Sequence, residues 1–129
     1  MAKKKDNKKL ERRFKKEWRN ILFNAVYAFV SVLFVVLFFK DILLTTILIG
    51  VVSVVGFFKW NSRRTVVIWI FGALWGPVCE MIAIYFGAWQ YTVYNVINIP
   101  FWLFFLWGNA AAFLYQTARE VKRLGVKDN

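Results

Sequence analysis

The sequence predicts an all-α, polytopic membrane four-helix bundle with both termini cytoplasmic. Three observations carry this. The 129 residues are 60% hydrophobic and 20% aromatic, well above the roughly 45–50% apolar content of soluble domains. The apolar residues fall into four runs, each near the ~20 residues needed to cross ~30 Å of hydrocarbon. Finally, the charges between the runs alternate.

Residues 1–20 hold ten Lys/Arg against Asp6, Glu11 and Glu17, leaving +7. Met1–Lys9 reads as a disordered basic tail. Leu10, Phe14 and Trp18 recur at helical spacing, so Leu10–Asn20 reads as an amphipathic helix on the membrane surface. Its expected partner is anionic lipid. A basic tail attracts any polyanion, but nothing beyond charge favours nucleic acid.

The four-span domain covers residues 21–118, with runs at 21–39, 42–58, 65–87 and 100–118. Lys40-Asp41 is a net-neutral break between the first two. Fusing those runs into one helix would bury both charges or leave a helix too long for the bilayer. Lys59–Arg64 carries +3, Ala88–Ile99 carries none, and the 119–129 tail carries +2. Charges of +7, 0, +3, 0 and +2 in successive segments are what the positive-inside rule expects of four spans. The first run is not a signal peptide, because its basic region and apolar core are too long and no small-residue cleavage site follows.

Without histidine and with the single cysteine Cys79, the chain has no Cys/His zinc site, no internal disulfide and no histidine-dependent triad. No metal and no cofactor are expected. Magnesium-dependent phosphoryl or prenyl chemistry needs more acids than the runs supply.

One acid, Glu80, lies within the runs. A charge near the bilayer centre costs at least ~2.5–3.5 kcal/mol, so intramembrane acids are sites by default. Gly72, Gly76 and Glu80 share a helical face. The GxxxG pair permits close helix approach, which turns Glu80 toward other helices. Pro77 cannot donate to the carbonyl of Ala73 and is expected to open a polar niche beside the acid. On the returning run, Gly108 and Ala112 form a second small-residue pair. Asn109 is the expected partner of Glu80, directly or through water. Trp89, Tyr91, Tyr94 and Trp102 flank the uncharged outer segment, as an aromatic anchor belt or as a binding cap over Glu80.

The stretch from Glu80 through GAWQY (Gly87–Tyr91) to IPFWLFFLW (Ile99–Trp107) resembles the membrane carotenoid-biosynthesis proteins related to bacterioruberin-type hydratases. The resemblance implies that Glu80 matches the family acid and that Tyr91 and Pro100 match its loop positions. It also implies a polyene or isoprenoid substrate.

Three functions are thus expected from the sequence. The leading one is a helix-packing or interaction module using Gly72/Gly76 and Gly108/Ala112. The second is an enzyme or binder for a lipid-like, polyene or isoprenoid molecule at Glu80. The third is a proton-coupled transporter subunit working as an oligomer. The lipid bilayer, an apolar small molecule and further copies of the chain are the corresponding partners.

Overall fold

The computed structural model describes residues 1–126. They form four helices: α1 (Ala2–Phe38), α2 (Ile42–Trp60), α3 (Arg63–Tyr85) and α4 (Trp102–Arg123). Among the described residues the only strand-like feature is an isolated bridge between Val96 and Ile99. Helices α1, α2 and α3 are long and apolar enough to cross a membrane. The apolar run of α4 is interrupted by Asn109, Gln116 and Thr117.

The helix ends follow local chemistry. Asp41 caps α2, its Oδ1 accepting from Leu44 N at 3.0 Å, so the short charged break expected at Lys40-Asp41 is a helix start. Asn61 ends α2 in a left-handed conformation and Ser62 caps α3. At the far end of α3, Gly87 takes φ +85°. There Gly87 N donates to Ile84 O and Ala88 N to Ala83 O, the paired bonds of a Schellman stop. Gly87 therefore terminates α3. Pro77 is buried, and α3 runs through it as one helix.

Two expectations fail at the N-terminus. Residues 2–9 are helical rather than disordered, and Leu10–Asn20 is not a separate surface helix. No Gly or Pro occurs between Ala2 and Phe38, and Lys, Arg, Glu and Leu are good helix formers. The apolar runs therefore propagate into a single α1. Leu10, Phe14 and Trp18 point outward, in line with the exposed Leu22, Val26 and Phe29. The expected 119–129 tail is likewise helical up to Arg123; residues 127–129 lie outside the described residues.

Helix α4 packs against each of the other three, while α1 and α3 do not meet. The burial pattern is the reverse of a water-soluble protein's. Large apolar residues line the exterior throughout, while Asn24, Ser31, Thr45, Ser53, Thr65, Asn109 and Gln116 are all at most 3% exposed. That inversion suits a chain surrounded by hydrocarbon.

The two ends of the assembly differ. The basic segments converge on one of them: Arg123 faces Glu17, Trp60 bonds Asn24 at 3.0 Å, and Lys59 lies over Phe23. At the opposite end the uncharged segment 86–101 folds over the helices. Its Ile99, fully buried, joins Ile49, Trp102 and Leu103 in one apolar cluster against which Phe39, Ile42 and Tyr91 pack.

Candidate functional site

The seam between α3 and α4 is built from glycines and tryptophans. A Cβ on Gly76 would overlap the ring of Trp107, and one on Gly108 would overlap the ring of Trp69. Each helix thus offers a glycine to the other's indole. Gly72 admits Ala111 and the Trp107 backbone in the same way, and Ala112 is fully buried. The small residues expected to mediate helix packing do so, but within the chain. Gly72, Gly76 and Gly108 are occupied by contacts between α3 and α4.

Seating the indoles this way aims their N–H groups. Trp107 Nε1 donates to Glu80 Oε2. The second oxygen of Glu80 accepts from the Tyr91 hydroxyl at 2.5 Å. Tyr91 stands edge-on to Trp102, with ring centroids 5.9 Å apart. Glu80 is half-buried. Its carboxylate joins three elements: α3, which carries it, α4 through Trp107, and the outer segment through Tyr91. Asn98 Nδ2 adds a bond to Met81 O at 3.1 Å, and Asn95 Oδ1 caps the start of α4 through Phe101 N at 2.9 Å. The segment is therefore fastened to α3 at two points, Tyr91 and Asn98, while the Asn95 bond closes its own turn before α4. Burial, then the hydrogen bond to Glu80 and its charge, push the Tyr91 phenol well above its ordinary pKa, which keeps it a donor.

Of the residues expected to line this site, the structure brings together Glu80, Tyr91 and Trp102. Trp89 and Tyr94 are about half exposed, at 48% and 58%, and belong to the outer surface rather than to a cap over the acid. The expected Glu80–Asn109 bond is not formed. Trp107 takes the place proposed for Asn109. The two lie two residues apart on α4, about 200° around the helix at ~100° per residue, and only one of them can face α3 at the level of Glu80.

Asn109 instead occupies the centre of the helical assembly. Its Oδ1 lies 2.6 Å from Tyr27 Oη, 2.6 Å from Ser53 Oγ and 2.9 Å from Trp69 Nε1, all donors to it. Its Nδ2 donates to Ser31 Oγ at 3.2 Å. One amide thereby touches α1, α2 and α3 from α4. Ser53 Oγ also lies 3.0 Å from Ile49 O, so its single proton serves either acceptor. A second polar layer sits toward the basic end, where Gln116 Nε2 donates to Thr65 Oγ1 at 2.5 Å and Trp60 Nε1 to Asn24 Oδ1. The sequence carried a signal for these layers. Asn24, Tyr27 and Ser31 are spaced 3 and 4 apart on α1, and Thr45, Ile49 and Ser53 are spaced 4 and 4 on α2. Each set is one helical face.

No group of three or more His, Cys, Asp or Glu side chains suited to a metal occurs among the described residues. No protein-family model, no curated protein and no solved structure matches the chain.

Proposed function

We propose that this chain is a four-span, non-catalytic membrane module with both termini on the cytoplasmic side, and that Glu80 is a structural clamp within it. The observation that carries the reading is the double engagement of Glu80. Both carboxylate oxygens already accept from donors of the same chain, Tyr91 and Trp107. An acid so fastened holds the outer segment and α4 on α3, which is work enough to account for its presence. The gathering of the +7, +3 and +2 segments at one end supports the even number of crossings and the common side of the termini. The position of α4 against all three other helices supports its being the fourth span. Because the small-residue faces are used internally, partners of the module meet its apolar outer faces.

The experiment is a comparison of wild type and Glu80→Gln in liposomes, with bound lipids identified by mass spectrometry. The module reading expects no pH-dependent flux and no copurifying polyene or isoprenoid in either protein. A proton flux lost in Glu80→Gln would favour the transporter function instead. A polyene or isoprenoid lost in the variant would favour the substrate class implied by the carotenoid-enzyme resemblance.

A further inference from the structure

The basic end holds a second polar feature, unconnected with Glu80. A cavity of about 290 Å³ opens there between α1, α2 and α4. Lys16, Lys59, Arg119 and Arg123 line it, one or two from each helix. Among the described residues, only Arg123 has a carboxylate within ion-pair distance. Lys59 and Arg119 lie instead over the rings of Phe23 and Tyr115, each 5.7 Å from the centroid. Lys16, Lys59 and Arg119 thus line one cavity without a carboxylate of the described chain within ion-pair distance, and its cations outnumber the one acid, Glu120, in its wall. An anion is the natural occupant, and Lys and Arg together suit a phosphate.

The inner wall adds a second requirement. Glu120 lines the cavity and is 3% exposed. Its Oε1 faces Arg123 Nη1 at 3.4 Å, while its Oε2 is buried without a hydrogen-bond partner. Glu17, 5% exposed on α1, has an Oε2 in the same condition, 4.0 Å from Arg123 Nη1. A buried carboxylate oxygen without a donor is costly. The neighbouring amides of Asn24 and Gln116 donate to Thr117 and Thr65. The cavity therefore presents free positive charge around a buried acceptor. Trp60 also lines it, and tryptophan favours the headgroup level of a membrane.

We propose that this cavity binds a phosphate ester that also carries a hydroxyl donor, with the phosphate among Lys16, Lys59 and Arg119 and the hydroxyl on Glu120. The headgroup of a phosphoglycerol lipid and a free polyol phosphate share this chemistry.

The test uses the full-length protein in nonionic detergent, with its melting temperature followed during titration. The probes are short-chain phosphatidylglycerol, glycerol phosphate, and phosphatidylcholine as a phosphodiester lacking the hydroxyl. A saturable rise with phosphatidylglycerol alone identifies a lipid ligand, and a rise with glycerol phosphate identifies a free ester. Either supports the proposal, provided phosphatidylcholine gives none. Lys59→Gln and Arg119→Gln should each weaken binding about fivefold, the effect of one basic residue near a charged surface. Replacing Lys3, Lys4 and Lys5 by Gln should leave binding unchanged. If Arg119→Gln does not fold, Lys16→Gln takes its place. The proposal is overturned if neither ester gives a saturable rise, if phosphatidylcholine does equally well, if the cavity variants bind as tightly as wild type, or if the tail substitutions weaken binding as much as the cavity ones.

Discussion

The indole of Trp107 covers Gly76 and donates its N–H to Glu80, one turn further along α3. Across the same seam Trp69 covers Gly108 and donates to Asn109. The glycines are needed for the hydrogen bonds, since each bond forms only where the indole can lie close against the facing backbone. Packing and polar satisfaction are one device here, and they should fail together.

Gly76→Ala and Gly108→Ala are expected to destabilise the protein by about 1–3 kcal/mol each, the usual cost of overpacking. Placing a methyl at either position requires a ring, not the end of a flexible chain, to move. Unfolding in mixed micelles of increasing denaturing detergent measures this. Gly87→Ala should behave differently: no atom lies near its Cβ position, and its cost comes from the φ of +85°, expected to be about 1 kcal/mol.

Asn109→Ala should be the most damaging single polar substitution, at about 2–4 kcal/mol, because it leaves Tyr27, Trp69 and Ser31 short of partners in an apolar interior. Pairing it with Tyr27→Phe in a double-mutant cycle should give a coupling of about 0.6–1.7 kcal/mol, the range for interhelical hydrogen bonds in membranes. Pairing it with Glu80→Gln should give additivity within about 0.5 kcal/mol, because the two residues share no hydrogen-bond partner.

The Tyr91 phenol should resist ionisation. Its raised pKa means that its contribution to stability is complete below the ordinary tyrosine value of 10.0 and is lost progressively as pH rises above that value through the higher folded-state one. An ultraviolet pH titration of wild type minus Tyr91→Phe measures this: the difference should show no phenolate signal near pH 10 while the protein stays folded, and an ordinary transition there would contradict the bond to Glu80.

Much of this arrangement could be read in the residues. Lys40-Asp41 marks a break because no helix crosses hydrocarbon with both charges inside it. Gly72 and Gly76 mark close approach because nothing else explains such small residues at that spacing in a membrane run. Asn109, Ala112 and Gln116 share one helical face by their spacing, and the structure buries it. The partner of Glu80 was not legible, because it depends on how α4 is rotated. That rotation is set by Trp69 filling the space over Gly108 and by the four-helix junction at Asn109. Neither contact is visible along one helix at a time. The helical N-terminus is hidden for a different reason. Its lysine content suggests solvation and disorder, although an adjoining apolar helix removes the nucleation cost that keeps such short charged segments unfolded.

The clamp at Glu80 is tested most directly by hydrogen exchange of residues 88–101 in Glu80→Ala compared with wild type. Loss of the carboxylate should release Tyr91 and Trp107 together, so exchange should rise sharply in the outer segment while the middle of α1 and α2 keeps its protection. Unchanged protection of the outer segment in a folded Glu80→Ala protein would contradict the account.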